Sequence, residues 1–546
     1  MNFSKFEKLL SIFIVVFLLV VQLSLHVNAA NTSGDIFLIG DSMYSDISQN
    51  KSGNGWSWNA AKFTLTLNGY NGGPVIFLPY AQNTKTLHIV VKNKNVLHYS
   101  SVPTHVQFQK RTVFAALLVE KCNVHVSGGG TLSTNASGEN STSSLWVSKD
   151  LTIEDITLNC IGEHQSIVSE NIVVNDSVLN IDSPEGYWCT SSLFENSTIN
   201  FKNSYRSQIE NFASGGKHTF KNCTIDALVG ARPLNSTPIR ATLFSGMANY
   251  VFDHTAFKVR QGQHNRADNV ITLFSLGYPD NIGNSIAINN NSRFELTDCV
   301  DNAFRAFTIN ISNSSITGTC TDNLFSSILL NITDSSVDIT CVGNKSSGNA
   351  LIVGQDINIA NSNIKGQSNG NIWGTGILSY SEYENNISLT DTYLDLEGKG
   401  NTFGGGFSWN YKMPEKWTVI LDGVESNLSA NSAKLNLFHD KVVVKFQGNA
   451  TSTQPGNGIS STKPANQSVS EKTTDKEPTK GSASEQTADK ELKETETSGQ
   501  SLQKTDRSGK KEKNSQFTPF AIIISILGVL GAITYIYIRL KNKKQL

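Results

Sequence analysis

The chain lacks an excess of charge of either sign. Lysine and arginine number 45 against 46 aspartates and glutamates in 546 residues, a formal net charge of −1. A nucleic-acid partner needs a basic surface to displace phosphate counterions, so this balance argues against one. The histidines, among them His88, His125, His218 and His264, show no spacing of the kind that sets two ligands on one metal ion. A glycine-rich phosphate-binding loop is missing too. What the chain has in quantity is Asn, Ser, Thr and Gly, with Phe, Ile and Val as its apolar part. That mixture suits β structure with many turns.

The two ends read differently from the middle. Lys5 and Lys8 precede an apolar run from Leu9 to Leu25, and Val27-Asn28-Ala29 follows. Residues 1–29 therefore read as a secretory signal peptide. At the other end a membrane helix is expected over 517–538. Its uncharged core, Phe520–Ile538, rises at roughly 1.5 Å per residue, enough for a hydrocarbon layer of roughly 30 Å. Arg539, Lys541, Lys543 and Lys544 follow, so 539–546 is expected on the cytoplasmic side and the bulk of the chain outside. Residues 450–516 are Lys, Glu, Thr and Ser with almost nothing apolar, which predicts a disordered spacer.

Between these ends the chain repeats itself. "ISNSSITGTC" begins at Ile311 and "ITDSSVDITC" at Ile332, 21 residues on. The pattern aliphatic, any, Asn or Asp, Ser/Thr/Cys, any, aliphatic recurs from Val174, Phe194, Phe220, Phe252, Ile311, Ile332, Ile359 and Leu389, with His254 replacing Asn once. "INNNSRF" at Ile288 fits with one inserted residue. A second series places Asn after Asp268, Asp301, Asp322, Gly348, Gly370 and Gly400. Asn and Asp tolerate the left-handed backbone of a sharp turn, and stacked Asn amides bond one another. Two turn series with alternating apolar residues between them describe the rungs of a right-handed parallel β-helix over 96–449, preceded by a β cap over 30–95. A β-sandwich array would alternate without fixed turn ladders. A leucine-rich repeat is excluded by the absent Leu spacing.

"GNGWSWNAAKFTLTLNGYNGG", Gly53–Gly73, predicts two strands and an Asn68-Gly69 turn. It resembles the N-terminal signature of Gram-positive cell-surface proteins whose β-helical ectodomains are often labelled carbohydrate-binding. The resemblance covers about residues 35–95 and implies a β-helix protein displayed on the cell surface. That family carries Asp after the second Trp, where this chain has Asn59. The residues themselves favour Trp56 and Trp58 as a lid on the end of the core over a sugar-stacking pair.

Catalytic chemistry has little purchase. Asp301 and Asp322 fall at equivalent rung positions with Arg305 near one of them, a set a polysaccharide lyase or glycosidase would need. Gly348 and Gly370 replace them elsewhere in the same series, which makes them turn residues. The Asn-Thr-Asp, Asp-Asp and Gly-His-Gly motifs of polygalacturonase-type enzymes do not occur. "GQSNG", Gly366–Gly370, matches a nucleophile elbow only by chance, since it falls in a rung turn. Cys320 and Cys341 are expected inward on neighbouring rungs, as stacked thiols in preference to a disulfide. Sequons at Asn196, Asn310 and Asn331 follow from the turn ladders, and the terminal "KKQL" reads as stop-transfer charge. No catalytic, cofactor or metal residue is assigned. The expectation is a single-pass membrane protein of the bacterial surface, an adhesin whose rod binds a polysaccharide or host-surface glycan. A lyase or hydrolase, and a structural stalk, stand as alternatives. Acidic residues with Arg or Lys on one exposed sheet face would favour the enzyme.

Overall fold

The computed structural model describes residues 36–446 apart from segments between and beside the strands, of which 101–113 and 430–441 are the longest. The expected signal peptide, spacer, membrane helix and tail lie outside the described residues, as do Asp268, Asp301, Cys299, Gly348 and Gly400. Among the described residues every regular element is a strand, and no helix is long and apolar enough to cross a membrane.

The strands form three long sheets of 14, 16 and 16 members, here sheets 1, 2 and 3. The chain visits them in turn. Leu151–Glu154 lies in sheet 2, Thr157–Gly162 in sheet 3 and Gln165–Val168 in sheet 1, and Asn171–Asn175 then returns to sheet 2. Each return pairs parallel with the strand one rung earlier, as Leu151 with Ile172 and Leu158 with Leu179. This is the arrangement of a parallel β-solenoid. The repeat at Ile311 and Ile332 is two stacked rungs. Ile311 sits against Ile332, Ser315 against Ser336 and Cys320 against Cys341.

The turn between sheets 2 and 3 explains the Asn/Asp signature. Asp155, Asp176, Asn196, Asn222, His254, Asn313, Asp334, Asn361 and Asp391 all have φ between 44° and 52°, the left-handed region. Asn290 and Asn291 are both left-handed, which accommodates the inserted residue of that rung. The Ser, Thr or Cys that follows turns inward and builds a second ladder. Ser335 Oγ donates to the Thr333 carbonyl at 2.6 Å and accepts the Ser314 N–H at 3.1 Å. The Ser335 N–H donates in turn to Ser362 Oγ at 3.2 Å. The same bonds recur at Ser177 and Ser197. The polar groups of a buried turn are thereby satisfied rung by rung.

Inside, side chains of like kind stack at the rung spacing. Phe194, Phe220 and Phe252 stack at centroid distances of 5.0 Å, and Phe244 on Phe274 at 4.5 Å. Cys320 and Cys341, with Cα atoms 4.7 Å apart, are joined by a disulfide. This differs from the thiol stack expected from sequence: in-register parallel neighbours bring two inward Cα atoms within bridging range. Cys122, Cys160, Cys189 and Cys223 are buried free thiols.

At the N-terminal end the pairing becomes antiparallel. Trp56–Asn59 pairs with Thr64–Asn68, Trp56 against Leu67 and Trp58 against Leu65. Trp58 is buried, its Nε1–H donates to the Ile47 carbonyl at 2.8 Å, and its ring lies 5.3 Å from Phe37 and 5.4 Å from Phe63. Both tryptophans close the end of the core. Asn59 Oδ1 accepts the Lys62 N–H at 3.0 Å, a turn role that needs no carboxylate.

Candidate functional site

The outer faces of the sheets differ in chemistry. The outer face of sheet 1 is apolar near Leu38 and Leu118. Leu38, Ile76, Leu78, Ala115 and Leu118 form a second buried cluster, with Ile36 and Trp146 packed against it. In the turn between sheets 1 and 2 Lys149 pairs with Glu170 at 3.1 Å. Sheet 2 carries polar pairs that bridge rungs: Lys221 to Glu195 at 3.0 Å, and Asn331 Nδ2 donating to Asn310 Oδ1 at 2.8 Å. His88 and His125 are adjacent there with ring centroids 5.5 Å apart, and His125 lies 2.9 Å from Glu154. Their separation in sequence hid this pairing. Among the described residues no group of three His, Cys, Asp or Glu side chains is placed to hold a metal ion.

Sheet 3 carries a long polar column on its outer face. One outward column runs Ser133, Asn159, Asn180, Asn200, Asp226, Lys258, Glu295, Thr317, Asp338. Its first half is an amide ladder. Asn159 Nδ2 donates to Ser133 Oγ at 3.1 Å, Asn180 Nδ2 to Asn159 Oδ1 at 2.8 Å and Asn200 Nδ2 to Asn180 Oδ1 at 2.9 Å. Its second half is charged. Arg260 Nε donates to Asp226 Oδ1 at 2.7 Å, and Lys258 Nζ to Glu295 Oε1 at 2.7 Å. The hydrogen bond to Asp226 raises the pKa of the Arg260 guanidinium.

A groove of about 530 Å³ opens where the ladder turns charged. Its cause is local. The neighbouring outward column reads Thr224, Ala256, Arg293, Ser315, Ser336, and Ala256 leaves a hollow between longer side chains. The hydroxyls of Thr224, Ser315, Thr317 and Ser336 and the charges of Asp226, Lys258, Arg293 and Glu295 line it. Such a surface offers donors and acceptors at a repeat of about 4.8 Å, suited to an extended polymer lying along the rod.

The residues considered from sequence lie elsewhere. Asp322 sits half-buried in the turn between sheets 3 and 1, Arg305 half-buried on a strand of sheet 1, and Asp301 outside the described residues. In that turn Asn323 Nδ2 donates to Asn302 Oδ1 at 2.9 Å, so these two members of the second Asn series stack amide on amide. Gly366 to Ser368 lie within a strand of sheet 3 and not in the turn expected for them, and the strand has none of the strand-turn-helix geometry of a nucleophile elbow. The groove residues escaped notice because rung lengths vary: Asp226 and Arg260 are 34 apart, Lys258 and Glu295 37 apart.

No family model, no curated protein and no solved structure matches this chain.

Proposed function

We propose that this protein is a membrane-anchored, right-handed parallel β-helix of the bacterial cell surface, an adhesin that binds a polysaccharide or host-surface glycan along sheet 3. The observation that carries the reading is the groove beside the Asn159–Asn200 amide ladder, where hydroxyl, amide and charged groups repeat in register on one open face. Sugars are bound through repeated hydrogen bonds to planar amides and charged groups, and a rigid sheet holds these at fixed spacing without an ordering cost on binding. The signal-like start, the spacer and the apolar C-terminal run support display outside the cell, and the Gly53–Gly73 signature supports a Gram-positive surface protein.

A second reading has its own support. Asp226 and Glu295 share the face with Lys258, Arg260 and Arg293, the mixed acidic and basic set a polysaccharide lyase or hydrolase requires. Asp226 and Glu295 stand two rungs apart, about 9–10 Å, near the separation used by inverting glycosidases. Both carboxylates are held in ion pairs, which favours binding over proton transfer. A plain stalk has no use for the groove.

The test is to present the detergent-solubilised full chain to a polysaccharide and glycan array and analyse the wash by mass spectrometry. Retention with an unfragmented wash is the expected result. Released oligosaccharides would transfer the assignment to the enzyme, and no retention on any glycan would sink both readings.

A further inference from the structure

We propose that the groove on sheet 3 takes an acidic polysaccharide, one bearing carboxylate or sulfate groups, and that Arg293 is the side chain that reads the charge. This rests on the glycan-binding reading and adds the class of glycan.

The groove's other charges are spoken for. Asp226 is bonded to Arg260 and Glu295 to Lys258, each at 2.7 Å. Those four side chains cancel in sign and hold one another in place. Arg293 is different: it is exposed, and among the described residues it has no anionic partner. Its column sets Ala256 on one side and Ser315 on the other. The guanidinium therefore stands beside a hollow with a hydroxyl next to it. A guanidinium presents two parallel N–H donors that match a carboxylate or a sulfate edge, and it is more weakly hydrated than an ammonium. A neutral sugar at that position would gain hydroxyl contacts only. An acidic one adds charge-assisted bonds to a cation that has nothing else to satisfy it.

The rest of the face fits the remainder of such a chain. Ser133, Asn159, Asn180 and Asn200 continue the line uncharged, so sugar hydroxyls meet amides there, with Asp182 the acidic side chain beside the line, two residues from Asn180 on the same strand. Thr317 and Ser336 supply hydroxyls on the far side.

The experiment uses the full chain in detergent and two matched pairs of probes: polygalacturonate against its methyl ester, and dextran sulfate against dextran. Wild type is compared with Arg293→Ala, Arg293→Lys and Lys365→Ala, the last removing an exposed cation elsewhere on sheet 3. The expected result is preference for one acidic member of a pair, a loss of at least roughly tenfold in Arg293→Ala, a smaller loss in Arg293→Lys and little change in Lys365→Ala. Which pair discriminates tells carboxylate from sulfate. Equal retention of acidic and neutral members would overturn the charge assignment while leaving glycan binding intact. Unchanged affinity in Arg293→Ala, or equal losses in Arg293→Ala and Lys365→Ala, would overturn the role of Arg293. No retention of any probe, together with silence on the wider array, would remove the glycan reading itself.

Discussion

His218 is a histidine held far from its ordinary ionisation. It is fully buried inside the solenoid, its Nδ1 lies 2.9 Å from Ser192 Oγ, and its ring stacks on Tyr250 at 4.8 Å. Burial pushes its pKa down from 6.5 to about 4. The sign of the consequence follows directly. Above pH 6.5 the ring is neutral in folded and unfolded chains alike. As pH falls from 6.5 toward 4 the unfolded chain takes up a proton that the folded one refuses, so stability drops, by up to about 3 kcal/mol, and then levels off. The difference in unfolding free energy between wild type and His218→Phe, measured by denaturant titration from pH 7 to pH 4, should show this slope. A flat difference would mean that water reaches the ring. Nothing in the local sequence marks His218 out: it stands in "GGKHTFK" among residues that alternate like any other strand, and only closure of the three sheets puts it inside.

At the scale of elements, the turn between sheets 2 and 3 does most to define the fold. Its left-handed Asn and Asp were readable because the conformation is a local demand that few residues meet at low cost. The recurring Ser beside them was readable as a pattern, but its purpose was not. Its oxygen works between rungs, accepting from one and donating within the other. Ser335→Ala should leave the Ser314 N–H buried without a partner, at a cost of about 1–3 kcal/mol in chemical denaturation. Ser335→Thr should be close to neutral, because Thr255 and Thr392 already serve at equivalent positions, Thr255 Oγ1 donating to the Asp253 carbonyl and Thr392 Oγ1 to the Thr390 carbonyl. A cost for Thr as large as that for Ala would show that the position is limited by space and not by the hydroxyl.

At the scale of the solenoid, stability is a sum over rungs and their contacts with the next rung, so whole units are interchangeable in a way that fractions of a unit are not. Deleting Ile311–Asn331 removes one repeat and joins Asn310 to Ile332, whose partner across the rung was Ile311 itself. Sheet 3 then pairs the strand at Arg293 with the one at Ser336 in place of Ser315. The shortened chain should keep its strand content and cooperative melting by circular dichroism. Deleting half of that repeat should lower both, because the interrupted rung lacks strands that its neighbours pair with and the stack is broken there. Survival of the half deletion would contradict in-register stacking.

Legible in the residues alone were the class of fold, the direction in which strands stack, the turn residues, and the inward burial of Trp58 and Cys320. These are consequences of short-range chemistry, period-two alternation and the few side chains that accept a left-handed backbone, repeated at a near-constant interval. The tertiary structure decided what lies beside what across rungs of unequal length. It placed Ala256 between Thr224 and Arg293, bonded Asp226 to Arg260 and Lys258 to Glu295, joined Cys320 to Cys341, and buried an apolar cluster on the outer face of sheet 1. Lateral neighbours depend on how much chain each intervening turn takes up, and no local pattern records that length.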